Sequence, residues 1–329
     1  MASLAANSIG FIGLGAMGMW MASHLAEKVS KSTKLYVFDI VPTLVDNICL
    51  KYPDTVIKAT NPKEVIDQSE VLITMLPEGK HVKAVYLEEN GVLIGDVGGK
   101  LLIDCSTIDT ASFLEVKNAL SKKFPSAKLY DAPVSGGVIG AKKGTISFFL
   151  GCAEEDTTDI NGMTAILSLM GTKIIPCGGP SLGLAAKLSN NYLSGIIAIA
   201  CSEAMDMGMR SGLDPRVLAK VYAAGTAQNT ICDRFCPVPG VYPEAPSSNG
   251  YKKGFKVQLM KKDFSLALDM ARRVGSNNVL GDAGLRTYEG ASEDERCRDL
   301  DSRVVFRYLQ GNENWGNESK AESGSALEE

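Results

Sequence analysis

The chain has 329 residues, 45% of them hydrophobic and 22% charged, which suits a soluble globular protein of two domains. The net charge of −4 leaves no basic field to hold a phosphate backbone, so no nucleic-acid partner is expected. Two histidines and eight cysteines without a CxxC pair argue against a metal site, and the thiols read as free in a reducing compartment.

The first strand is expected over Ser8–Gly13 and runs straight into Gly13-Leu14-Gly15-Ala16-Met17-Gly18, with a helix over Met17–Val29. The three glycines fit GxGxxG: one for a tight turn, one for close approach of a pyrophosphate, one for helix-on-strand packing. A helix N-terminus behind such a turn offers free N–H groups and partial positive charge to phosphate. A bare glycine-rich turn without ligand would look the same in isolation. Here a second strand, Lys34–Asp39, ends in Asp39, 21 residues after Gly18. A carboxylate there accepts hydrogen bonds from ribose hydroxyls and repels a 2′-phosphate, so NAD is expected over NADP. Ile40 follows, where a phosphate-binding chain would often carry Arg.

Further strands are expected over Val71–Met75, Leu101–Cys105, Lys128–Ala132 and Ile146–Leu150, with a helix over Ser112–Lys122. Runs such as Leu35-Tyr36-Val37-Phe38 are apolar on both alternating faces, as a sheet covered on both sides requires. The alternation predicts an α/β, Rossmann-type doubly wound sheet. Asp131-Ala132-Pro133-Val134-Ser135-Gly136-Gly137 closes one strand, at the end where open α/β sheets bind ligands. Ser135 supplies a hydroxyl, and Gly136 and Gly137 allow backbone N–H groups to turn toward a carboxylate. A plain Ser-Gly-Gly turn is the simpler alternative.

From about Gly183 the strand signals fade. A long helix is expected from Leu184 to about Arg210, roughly 40 Å at about 1.5 Å per residue. Its apolar run Tyr192–Ala200 is too short to span a membrane. Lys187 and Asn191, at i and i+4, share one face of it. A helical lysine is ordinarily a solvated charge. This one stands among Leu184, Ala185, Ala186 and Leu188, where it could be desolvated and exchange a proton. Gly212 reads as a stop, Asp214-Pro215 as the next helix start, Cys236–Gly254 as a loop, and Val257–Val274 as a helix. The expected domains are 1–182, 183–310 all-helical behind the long inter-domain helix, and a disordered tail at 311–329, rich in Gly, Asn, Ser and Glu. With the first strand at Ser8, no presequence is visible.

Gly13–Gly18, Asp131–Gly137, Lys187 with Asn191, and Lys262-Asp263 stand in the order and spacing of the β-hydroxyacid dehydrogenase family, and the chain resembles it over about residues 8–310. The resemblance extends to Ile73-Thr74-Met75-Leu76-Pro77 and to the loop from Pro237 to Phe255. It implies NAD-dependent oxidation of 3-hydroxyisobutyrate to methylmalonate semialdehyde in valine breakdown. Lys187 would be the general acid/base and Asn191 would support the reacting oxygen. Ser135, Gly136 and Gly137 would hold the substrate carboxylate. Met75, Leu76, Pro77, His81, Thr107 and Lys262 would join Gly13–Gly18 and Asp39 at the cofactor. It also implies a homodimer or homotetramer and a mitochondrial location, with a cytoplasmic one as the alternative.

Two positions depart from the family pattern. Ser181 stands where glycine is usual and reads as a harmless helix cap. His81 replaces an Asn. His24 fits no motif and reads as an ordinary helix residue. Reduction of glyoxylate or another semialdehyde is the competing activity. A non-catalytic dinucleotide-binding module is a third reading, at odds with the presence of Lys187.

Overall fold

The computed structural model describes residues 6–315, and the chain divides into two compact units at Ser189/Asn190. The first contains β1 (Ser8–Ile12), α1 (Gly18–Lys28), β2 (Lys34–Phe38), α2 (Pro42–Lys51), β3 (Val56–Lys58), α3 (Pro62–Asp67), β4 (Val71–Thr74), α4 (Gly79–Leu87), β5 (Leu101–Asp104) and α5 (Thr110–Lys123). It continues through β6 (Lys128–Asp131), β7 (Val134–Ser135), α6 (Gly137–Lys143), β8 (Ile146–Leu150), α7 (Thr157–Leu167), β9 (Gly171–Pro176) and the start of α8 (Leu182–Arg210).

Six strands form a parallel sheet in the order β3-β2-β1-β4-β5-β6, which is the doubly wound Rossmann order. Adjacent residues feed opposite cores. Ile9, Phe11, Ile73 and Ile103 pack on one side, and Ile12, Leu72 and Leu102 on the other. This is why these strands read as apolar throughout: both faces are covered by helices. All six strands expected from the sequence form. The sequence reading passed over β3, β7 and β9. The first two have only three and two residues, too few for a periodicity. β9 alternates poorly and pairs with β8 in a second sheet, β7-β8-β9.

The second unit holds the rest of α8, then α9 (Pro215–Ala224), α10 (Thr230–Arg234), α11 (Val257–Arg273), α12 (Gly281–Glu293) and α13 (Val305–Tyr308). Gly212, at φ +92°, ends α8, and Asp214 caps α9 by accepting the Arg216 N–H, with Pro215 in the first turn. Phe264 of α11 lies between Tyr192 and Tyr288, with ring centroids 4.9 and 5.6 Å away. The Cys236–Gly254 segment is irregular apart from one 3₁₀ turn at Pro246–Asn249. The Tyr251 hydroxyl ties it down by donating to the Pro237 carbonyl, and the Ser247 hydroxyl by donating to the Cys236 carbonyl.

Two boundaries differ from the sequence reading. The compact units part at 189/190 rather than 182/183, after the first eight residues of α8. The tail placed at 311–329 begins too early. Trp315 Nε1 donates to the Pro239 carbonyl, and Arg307 pairs with Glu313 at 2.7 Å. An aromatic anchor and an ion pair hold 311–315 despite their polar composition; residues 316–329 lie outside the described range. No helix among the described residues is long and apolar enough to cross a membrane.

Candidate active site

The glycine turn joins β1 to α1 at the carboxyl end of the sheet, where β1 and β4 lie side by side and the strand order reverses. Its three glycines serve different needs. Gly13 has φ +97°, and a Cβ there would lie 2.3 Å from the Met75 carbonyl oxygen. At Gly18 a Cβ would meet the Gly13 carbonyl oxygen at 1.9 Å. Both are therefore demanded by the protein's own backbone. A Cβ at Gly15 would meet nothing within 4 Å, so the fold leaves open space there. Gly15 and Ala16 are exposed, and no side chain caps α1. Such a cradle fits a pyrophosphate resting on the helix N-terminus.

Asp39 closes the other side. Its Oδ2 accepts the Leu14 N–H at 2.6 Å and its Oδ1 the Val41 N–H at 2.8 Å. The carboxylate is thus fixed beside the turn, with lone pairs remaining for two ribose hydroxyls. Leu14 is buried beneath it and Met17 half-buried. Met75 and Leu76 are half-buried and Pro77 exposed at the end of β4, and Thr107 is half-buried past the end of β5. The Leu76 N–H donates to Ser106 Oγ at 2.8 Å, which binds these two strand ends together. His81, in the first turn of α4, has a buried Nδ1 with no hydrogen-bond partner among the described residues.

Ser135 ends β7 half-buried, and Gly136 and Gly137 follow at φ +135° and +61°. The turn into α6 therefore needs both glycines. His24, assigned no role from the sequence, holds the far end of α6: its Nε2 lies 3.0 Å from the Ala141 and 3.1 Å from the Lys142 carbonyl oxygens.

The start of α8 is fixed by Asp131. Its buried carboxylate accepts the N–H groups of Ser181 at 2.9 Å and Leu184 at 2.8 Å. Burial outweighs the two backbone N–H groups that pull it down, and this carboxyl is raised to about 6. Ionised at neutral pH, it complements the positive end of the helix. Asp131 stood in the sequence motif without a role, because its partners lie 50 and 53 residues away.

The structure corrects the reading of Ser181. An N-cap residue has extended backbone, whereas Ser181 sits at φ +64°, in the left-handed region that favours glycine. A non-glycine residue there costs about 1–2 kcal/mol, partly offset because glycine loses more entropy on folding. Ser181→Gly is expected to stabilise the protein by about 0.5–1 kcal/mol, or about 1–3 °C in Tm, without changing activity. A thermal melt in which Tm stays put or falls would contradict this.

Leu184, Lys187, Leu188 and Asn191 are all buried, the i, i+3, i+4, i+7 stripe of a helix face turned inward. Two polar residues thus occupy positions that packing alone would fill with apolar ones. In the second unit, Asn191 Nδ2 donates to Asp263 Oδ2 at 2.6 Å, and its Oδ1 accepts from Asn190 at 3.1 Å. Lys262 pairs with Asp263 Oδ1 at 3.1 Å. Asp263 therefore joins two residues named from the sequence, Asn191 and Lys262, a link that sequence reasoning did not find.

A Rossmann sheet, an open glycine cradle at its switch point and a fixed carboxylate on the next strand define a dinucleotide-binding fold. Known proteins narrow this to an NAD-dependent oxidoreductase. Residues 8–179 match the NAD-binding domain of 6-phosphogluconate dehydrogenase, and residues 182–309 match the NAD-binding domain of NADP-dependent 3-hydroxyisobutyrate dehydrogenase. The chain is 40% identical to a probable mitochondrial 3-hydroxyisobutyrate dehydrogenase of Dictyostelium discoideum, over 88% of this chain and 86% of that protein. It is 37% identical to 3-hydroxyisobutyrate dehydrogenase of Pseudomonas aeruginosa, over 93% and 99%. Among solved structures, the Mycobacterium tuberculosis 3-hydroxyisobutyrate dehydrogenase with L-serine superposes with a TM-score of 0.84 at 32% identity, covering 93% of this chain and 99% of that one. The chain belongs to the β-hydroxyacid dehydrogenase family.

Proposed function

We propose that the protein oxidises 3-hydroxyisobutyrate to methylmalonate semialdehyde, a step of valine breakdown. The observation that carries this reading is the match, over nearly the whole chain, to relatives bearing that activity in their names. The buried polar stripe on α8 supports it, since a dehydrogenase needs a proton acceptor shielded from water.

In this reading Lys187 Nζ takes the proton of the C3 hydroxyl as the hydride leaves C3. NAD⁺, when bound, accepts that hydride. Asn191, its amide held by Asp263, supports the reacting oxygen. Ser135, Gly136 and Gly137 hold the carboxylate and so orient C3. Gly13–Gly18, Asp39, Met75, Leu76, Pro77, His81, Thr107 and Lys262 hold the dinucleotide. The active form is a homodimer or homotetramer, and a mitochondrial place matches the name of the Dictyostelium relative.

L-Serine is a second candidate substrate, because the mycobacterial structure was solved with it and it shares the 3-hydroxy acid frame. NAD⁺ reduction with 3-hydroxyisobutyrate, its methyl ester and L-serine separates the possibilities. The ester keeps the shape and loses the charge. Its kcat/KM should fall at least about tenfold, since a charge-assisted hydrogen bond contributes around 1.5–3 kcal/mol. Equal oxidation of acid and ester would remove the anion site and the hydroxy-acid reading with it. A higher kcat/KM for L-serine would replace the proposed substrate.

A further inference from the structure

Beneath the ends of β4 and β5 lies a buried polar network that no step above uses. Thr74, Tyr86, Asp104 and Ser106 are each at most 1% exposed. Asp104 Oδ1 accepts from the Thr74 hydroxyl at 2.7 Å and from the Ser106 hydroxyl at 2.6 Å. Its Oδ2 is buried with no hydrogen-bond partner among the described residues. A half-satisfied carboxyl in a sheet core is a costly choice where an apolar side chain could pack. Burial also raises its pKa, against the opposing hydroxyl hydrogen bonds.

The placement of the protons gives the group its role. A hydroxyl has one proton. Ser106 spends it on Asp104, so its oxygen is left to accept, and it accepts the Leu76 N–H at 2.8 Å. Thr74 also commits its proton to Asp104, so the Tyr86 hydroxyl, 3.3 Å away, must be the donor in that contact. Tyr86 belongs to α4, which starts just after Pro77. One carboxyl oxygen thereby sets the direction of two hydroxyls and ties β4, β5 and α4 around the Leu76–Pro77 turn. Without that acceptor the Ser106 proton has no buried partner, the hydroxyl rotates, and the Leu76 N–H loses its aim.

We propose that Asp104 is a positioning residue for the dinucleotide: through Ser106 it fixes the backbone of Leu76 and Pro77, the wall against which the cofactor is bound. The inference rests on the reading that Leu76, Pro77 and Thr107 line that site.

The test is NADH titration by fluorescence on wild type, Ser106→Ala, Asp104→Asn and Asp104→Leu, with thermal melts and steady-state kinetics alongside. A tenfold rise in Kd is about 1.4 kcal/mol, within the range of one lost hydrogen bond. Ser106→Ala and Asp104→Leu are expected to raise the NADH Kd about tenfold, and the KM for NAD⁺ with it, while kcat at saturation stays within about threefold. Asp104→Asn keeps the Oδ1 acceptor and should bind within about threefold of wild type, even if it melts lower. A merely structural carboxyl would change Tm without this split. Wild-type NADH affinity in Ser106→Ala overturns the proposal, and that variant, with one hydroxyl removed, carries the test if Asp104→Leu does not fold. Equal weakening in Asp104→Asn and Asp104→Leu overturns it as well. Failure of the wild type to bind NADH would instead remove the cofactor-site reading beneath it.

Discussion

Lys187→Ala should lower kcat by about 10²–10⁴-fold while NADH affinity stays within about threefold of wild type. The lysine sits on the buried stripe of α8 between Leu184 and Asn191, and that helix starts at a point held by Asp131. In the proposed mechanism its removal takes away the acceptor for the hydroxyl proton, while the glycine turn and Asp39 are left intact. Truncating a buried side chain also opens a cavity, so Lys187→Met provides the comparison at similar length. Both variants should be equally inactive although the second packs better. Stopped-flow hydride transfer would read the chemical step, and fluorescence titration the binding. More than a tenth of wild-type kcat in Lys187→Met would remove the lysine from the mechanism. A parallel collapse of NADH binding would reassign it to the cofactor.

Gly15→Val should weaken NADH binding by at least about 10²-fold, because a side chain in the cradle displaces a pyrophosphate from two or more charge-assisted hydrogen bonds of around 1.5–3 kcal/mol each. The apo protein should fold as before, since a Cβ at Gly15 meets nothing within 4 Å and its φ is not positive. Gly18→Ala makes the contrast. There the Cβ would press on the Gly13 carbonyl oxygen, so the loss should appear as a lower apo Tm as well as weaker binding. Differential scanning calorimetry on the two apo variants distinguishes them. Normal NADH affinity in Gly15→Val would mean that the open space at the turn is not the phosphate site.

Much of the fold is written locally. A strand covered on both faces needs apolar residues at nearly every position, so Leu35–Phe38 or Val71–Ile73 can be read one residue at a time. The glycine turn is equally local, because its tight turn, its phosphate approach and its helix packing fall within six residues. Asp39 follows from chain length along one βαβ unit. The polar pair Lys187 and Asn191 is visible through helical spacing, though only burial turns the spacing into a shared inward face.

Other features exist only once distant segments meet. Asp131 reaches Leu184 across 53 residues, Asn191 reaches Asp263 across 72, and Leu76 reaches Ser106 across 30. Nothing in the flanking residues marks these partners, because a hydrogen bond is specified by geometry in space and not by composition nearby. β3 and β7 are of the same kind: three and two residues carry no period, and they become strands because a neighbour offers its edge. Trp315 holds a segment whose composition reads as tail. Ser181 is the sharpest case. As a letter it suits a helix start, yet in the structure its N–H is held by Asp131 and its backbone lies in a conformation that a side chain resists.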